Sequence, residues 1–532
     1  MLTHKMKILL LFIFSQSLIC HAQLYTADNG DGTFKNPVLY ADYSDPDVIR
    51  VGDDYYLVAS SFTCQPGIPV LHSKDLVNWR IINYVYDRLP LQRYDKPQHG
   101  QGSWAPSIRF HNNKYYVYFC TPEDGLFVGI ANHPSKKWEL THVVDVEKWE
   151  DPCPFWDDDG NAYLVRGAVG AGPCYIHRLS PDGKRVLDNG VLVFQNPERQ
   201  PTLEGFKFME KKDGYYYIAA PAGGVATGWQ SILRSKNIYG PYEDKVVLHQ
   251  GKSTVNGPHQ GGFVQTQKGD WWFMHFQDRD AYGRIVHLQP VTWKDGWPIP
   301  GTDPDGDGIG EPVMQHTKPN VGKNYPVMIP QTSDEFNEST LGLQWQWHAA
   351  PQKKWYALDP QSGKIKLFTI STSTDVGNIF YAGNLLLQKV MAPSFSATTK
   401  LQAHFTKPGE QAGLVMMGNT FRSICIQKNE NGNSIAIYEG KRDLTKRRWF
   451  PQEKLVELPY TGDEVYFKVT FREDQTCLFA YSKDGVNFET VSSAFKAEKG
   501  MWIGAKPGIY AISANLVADE KNYAAFDWFK VE

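Results

Sequence analysis

Three carboxylates carry the first chemical signal in this chain of 532 residues. Asp45 opens the run Asp45-Pro46-Asp47-Val48-Ile49, Asp151 opens Asp151-Pro152-Cys153-Pro154-Phe155, and Glu204 opens Glu204-Gly205-Phe206-Lys207-Phe208. Asp and Glu are seldom buried without a reason. Carboxylates gathered at one place repel each other, and the repulsion drives their pKa values apart. One then holds a proton while another stays ionised. The first can protonate a leaving oxygen and the second can activate water, which is what hydrolysis of a glycosidic bond requires. Each residue also has a plainer reading: Asp45 as a turn cap, Asp47 as a competitor for its role, and Glu150 as a neighbour that could stand in for Asp151.

Residues this far apart need a closed scaffold to meet. Helical periodicity is scarce, and alternating strand patterns bounded by Gly, Asp and Pro are common. One pattern recurs five times, starting at 45, 105, 151, 204 and 257. In each unit a first strand leads to a turn and then to an aromatic strand, as in Tyr55-Tyr56-Leu57-Val58, Tyr115-Tyr116-Val117-Tyr118 and Trp271-Trp272-Phe273-Met274. A period of about fifty residues is that of propeller blades, none of which can bury both faces alone. The reading is an all-β chain with a five-bladed β-propeller. The first strands would line its channel, and Asp45, Ala105, Asp151, Glu204 and Gly257 would converge at one end.

Composition bounds the rest. With 16 Trp, 28 Tyr and 28 Phe the chain suits β structure, and it equally suits stacking on sugar faces. A formal charge of -3 offers no basic surface for nucleic acid. Lys5 and Lys7, the apolar run from Ile8 to Ile19, and Cys20-His21-Ala22 read as a signal peptide over 1–22, with export to the periplasm or beyond. Ile19 before Cys20 argues against a lipoprotein anchor, and no other segment reaches transmembrane length. The six remaining cysteines lack CxxC or zinc spacing, so no disulfide is required. Asp303-Pro304-Asp305-Gly306-Asp307-Gly308 looks like half of a calcium loop without the closing glutamate and reads as a surface loop. Expected boundaries are a propeller over 23–310, a Pro-rich linker over 311–330 and a second β-domain over 331–532. In the last, Val465, Phe467, Val469 and Phe471 alternate with period two.

Several motifs resemble glycoside hydrolase family 43: Asn36-Pro37-Val38-Leu39, Ser44-Asp45-Pro46-Asp47, Ser73-Lys74-Asp75-Leu76 with Asn78-Trp79, Trp104-Ala105-Pro106, Leu203-Glu204-Gly205 and Trp293-Lys294-Asp295-Gly296-Trp297-Pro298. The resemblance implies an inverting hydrolase of arabinose- and xylose-containing plant polysaccharides. It implies Asp45, immediately before proline, as general base, Glu204 as general acid, and Asp151 as the residue that orients the acid and raises its pKa. His259 would sit on the channel axis, beside the substrate and a calcium ion or water cluster. Arg284 would contact the sugar, and Phe62 and Trp104 would wall the subsite. No organic cofactor is implied. The C-terminal region resembles the concanavalin-like β-sandwich that follows the propeller in the xylosidase and arabinofuranosidase branch, where it helps close the pocket; Trp345, Trp347 and Trp449 are its candidate sugar contacts. The expected activity is release of terminal α-L-arabinofuranosyl residues, with β-D-xylosidase or a bifunctional enzyme as the alternative. A non-catalytic sugar-binding propeller and a retaining fructan hydrolase are the readings from other classes. Oligomeric state is left open.

Overall fold

A computed structural model describes residues 24–371, 378–443, 448–449, 451–514 and 521–532. The expected signal peptide over 1–22 and the Trp449 side chain lie outside the described residues. Five four-stranded antiparallel sheets follow one another along the chain, each built from consecutive strands. Their innermost strands are Asp47–Val51, Trp104–His111, Trp149–Trp156, Lys207–Phe208 and His259–Gln265. The last packs beside the first and closes the ring. The aromatic strands read from sequence are the second strands of these blades, such as Asp54–Val58 and Trp271–Asp278.

Every blade repeats one irregularity where its inner strand begins. In blade two Trp104 pairs with Cys120 and then Ser107 with Tyr118, so Ala105 and Pro106 stand opposite Phe119 alone and the inner strand carries one extra residue. Blade three does the same between Glu150–Gly167 and Cys153–Val165. Blade five does so between His259–Phe276 and Gly261–His275, with Gln260 as the extra residue. In blades one and four the matching ends are the Ser60 amide on the Ser44 carbonyl and the Glu204 amide on the Pro221 carbonyl. Such a bulge re-aims side chains at the end of a strand. Its first residue has positive φ in all five blades: Asp45 (54°), Ala105 (32°), Asp151 (54°), Gly205 (65°) and Gln260 (44°). The sequence reading is corrected here. Gln260, not Gly257, is the fifth-blade equivalent of Asp45. Glu204 stands one step earlier, in a second ring with Ser44, Trp104, Glu150 and His259. The bulge hides this offset, because it breaks the count of two on which a strand reading depends.

The segment 311–330 is not merely a linker. Gln315–Thr317 pairs with Thr33–Lys35, and Lys318 Nζ lies 2.6 Å from Asp28 and 3.0 Å from Asp75. Asp75 in turn accepts the amides of Val77 and Asn78, which fixes the turn before fully buried Trp79. Beyond it, nine-stranded and eight-stranded sheets, counted among the described residues, pack face to face as a β-sandwich. Val465, Phe467, Val469 and Phe471 all point into its core, as their alternation predicts. That core also takes in Tyr40, Ala281, Tyr282 and Ile285 from the propeller. Cys64, Cys120, Cys153, Cys174, Cys425 and Cys477 are buried free thiols. Among the described residues no helix is long and apolar enough to cross a membrane.

Candidate active site

A cavity of about 400 Å³ opens at the end of the propeller where the bulges lie, lined by Asp45, Phe62, Trp104, Glu150, Asp151, Glu204, Gln260, Arg284 and Trp502, among others. Six of the residues singled out from sequence meet here, and the seventh, His259, is bonded to one of them. Asp47 faces the opposite mouth of the channel, where its Oδ2 accepts the Ile108 amide and the Arg109 guanidinium. Of the two, Asp45 lines the carboxylate pocket and Asp47 does not.

Asp45 is buried, with Oδ1 2.6 Å from Arg284 Nη1 and Oδ2 accepting the Ser60 hydroxyl at 2.6 Å. A carboxylate oxygen can accept more than one hydrogen bond, so a water can still donate to this group. Ser60 also accepts the Ala105 amide, tying blade one to blade two beneath the carboxylate. Arg284 begins the strand Arg284–Lys294, and its guanidinium lies 4.7 Å from the Phe276 ring centre and 5.8 Å from that of Trp502. Charge-assisted contacts of this kind fix geometry as well as charge.

Glu204 is half-buried, and its Oε1 lies 2.7 Å from His259 Nε2. Burial pushes its carboxyl up, but the His259 bond and charge and the Arg284 charge outweigh this and hold it below the usual value. Asp151 is buried, accepts the Gly205 amide at 2.7 Å and faces the Gln260 amide at 3.3 Å. Burial, then repulsion by Glu204, raise it to about 7, against the pull of Lys207 and the Gly205 amide. Glu150 is buried too, with no protein partner for Oε1; burial and the charges of Asp151 and Glu204 raise it to about 10. Asp151 thus stands above its usual range and Glu204 below it. The raised values belong to the two buried acids, and the partly exposed one is held low.

Phe62 and Trp104 meet edge to face at 6.4 Å, and the Trp104 indole donates to the Gly100 carbonyl. Trp104 also meets Trp502 at 6.4 Å. Trp502 comes from the sandwich, in the loop before Lys506–Ser513, and is 45 % exposed. Nothing in its local sequence marks it. Trp345 and Trp347, candidates for sugar contact by sequence, are only 2 % exposed and belong to the core. Calcium takes six to eight oxygen ligands. At His259 the protein offers one imidazole, with Nε2 engaged by Glu204 and Nδ1 buried without a protein partner. That donor set does not make a calcium cage. Among the described residues, the group of acidic side chains able to share an ion is Asp303, Asp305 and Asp307, where Lys294 already holds Asp303.

Known proteins share both halves of the chain. The profile of glycosyl hydrolases family 43 matches residues 34–298, and that of the beta xylosidase C-terminal concanavalin A-like domain matches 333–532. A beta-xylosidase of Formosa agariphila is 32% identical, over 94% of this chain and 90% of its own. A non-reducing end alpha-L-arabinofuranosidase of Bacteroides ovatus is 30% identical, over 93% and 94%. The crystal structure of a GH43 protein from Bacillus licheniformis superposes with a TM-score of 0.80 at 27% identity, covering 94% of this chain and 99% of that one.

Proposed function

The chain belongs to glycosyl hydrolase family 43 and is a glycosidase; from that premise we propose that it removes a terminal pentosyl residue, α-L-arabinofuranosyl or β-D-xylosyl, from plant cell-wall polysaccharides or oligosaccharides, with inversion. The observation that carries this reading is the walled pocket in which Asp45, Asp151 and Glu204 meet beneath Phe62, Trp104 and Trp502. The sequence alone favours arabinose. The names of the relatives support xylose at least as well, so both sugars stand.

Asp45 acts as the general base. It takes a proton from the water that attacks the anomeric carbon, while Arg284 and Ser60 hold its oxygens in place. Glu204 acts as the general acid. His259 engages Oε1, which leaves Oε2 to deliver the proton to the departing glycosidic oxygen as the carbon–oxygen bond breaks. Asp151 orients this acid through the Gly205 amide next to it. Trp104 and Trp502 pack against the sugar, and Arg284 reads a hydroxyl.

The test is hydrolysis of paired aryl glycosides, α-L-arabinofuranoside and β-D-xyloside, by wild type and Asp45→Asn, with the anomer released followed by NMR. Cleavage of at least one substrate, a loss of about 10³-fold or more in the variant, and release of the inverted sugar are expected. Wild type inactive on both, or a variant as active as wild type, would overturn the reading.

A further inference from the structure

Asp42 lies three residues before Asp45, is 3 % exposed, and takes no part in the chemistry above. Its carboxylate nevertheless joins three separate stretches of chain. Oδ1 accepts the Arg284 amide at 3.0 Å and the Ser44 hydroxyl at 2.9 Å. Oδ2 accepts the Gly504 amide at 3.1 Å. Arg284 is the partner of Asp45, Ser44 is its chain neighbour, and Gly504 lies two residues after Trp502.

The loop carrying Trp502 is held on both sides of this contact. Lys499 Nζ meets both carboxylate oxygens of Asp278, at 3.0 and 2.9 Å, and the Ala505 amide donates to the Ala281 carbonyl at 2.7 Å. Asp278 pairs in register with Arg284, so the loop grips the end of the hairpin that presents the arginine. The approach is close: a Cβ at Gly504 would stand 2.9 Å from the Tyr282 carbonyl, and one at Gly283 would stand 2.6 Å from Asp42 Cγ. Two buried lysines of the sandwich, Lys389 and Lys506, lie around Asp42, with burial and the Lys506 charge pushing Lys389 itself down to about 7. Burial alone would push the Asp42 carboxyl up; together with the two amides the lysines hold it below the usual value. A buried carboxylate accepting three hydrogen bonds is therefore built into the seam between the domains.

We infer that Asp42 is a positioning residue that holds the Trp502 loop of the sandwich and Arg284 of the propeller in one register with Asp45, so that the second domain sets how tightly the pocket grips the sugar. The kinetic part of this inference rests on the pentosidase reading; the structural part does not. Asp42→Asn puts an NH2 where one of the two backbone amides must donate, and so breaks one arm of the junction at constant size.

Expected in Asp42→Asn is faster amide hydrogen exchange within 497–505, where the Gly504 arm is lost, with protection elsewhere unchanged. The KM for the aryl pentoside that wild type cleaves should rise on the order of tenfold, with a smaller fall in kcat. In a cycle with Trp502→Ala the combined loss should be smaller than the product of the single losses, because both act through one loop. Wild-type exchange over 497–505, additive losses, or a lower Tm with unchanged KM would overturn the inference. Should Asp42→Asn not fold, Lys499→Ala releases the same loop from its exposed anchor; KM is expected to rise about threefold, and an unchanged KM would overturn it. An enzyme inactive on both pentosides would remove the functional reading and leave the exchange result to decide Asp42.

Discussion

Glu204 must carry a proton to act as an acid, and its surroundings oppose this. The His259 contact and the Arg284 charge hold its carboxyl low, while burial and the repulsion among these acids raise Asp151 and Glu150. Protonation is therefore favoured on the buried members of the cluster. The alkaline limb of kcat/KM falls where the acid loses its proton, and an interaction that lowers the acid's pKa moves that limb down in pH. His259→Gln keeps a hydrogen-bond donor but removes the charge. Its limb is expected at higher pH than that of wild type, in a pH–rate profile on a substrate with a poor leaving group. Glu204→Ala should abolish turnover of such substrates and lose much less with an aryl leaving group that needs no protonation; equal loss on both would argue against its role. Asp45, Asp151 and Glu204 are legible in the sequence because each heads a recurring strand, and Asp45 and Asp151 stand before proline. Glu150 is set aside in that reading because its neighbour fits the repeat better, although both side chains reach the pocket.

At the scale of the element, the bulge at the head of each inner strand does the aiming. Strand patterns and turns reveal the five hairpins. The bulges stay hidden, since one extra residue enters the inner strand without changing composition. Their positive φ is costly for residues with a side chain and free for glycine. At Gly205 the space is closed as well: a Cβ would stand 2.7 Å from Pro221 and 2.8 Å from Gln260. Gly205→Ala is therefore expected to destabilise by about 1–3 kcal/mol and to lower kcat by displacing Glu204 next door. Gly214→Ala, at similar φ but with nothing within 4 Å, should cost only about 1–2 kcal/mol and leave kcat unchanged. Calorimetry with kinetics on both variants separates strain from the loss of aim.

For the whole molecule, the decisive feature is that propeller and sandwich share one core. Tyr40, Tyr282 and Ile285 sit in the same apolar cluster as Trp345 and Phe529, and the Trp347 backbone pairs with Gln65. Domains joined by small polar contacts unfold separately, and those sharing a large apolar interface do not. One calorimetric transition is expected, and two resolved peaks would contradict it. The alternation of Val465 to Phe471 announces the sandwich from sequence. That Trp502 belongs to the pocket is not legible, because only the packing of one domain on the other brings it there. The bulged ring has a consequence for how such a chain can change. Five hairpins repeat one backbone motif, yet its ten leading positions hold Ser44, Asp45, Trp104, Ala105, Glu150, Asp151, Glu204, Gly205, His259 and Gln260. Reactivity is written in a short alphabet at the heads of five like strands. A gene library varied at Ser44, Trp104, Glu150, Glu204 and His259 alone would explore new chemistries, while the five positive-φ residues that follow them keep the backbone that aims them.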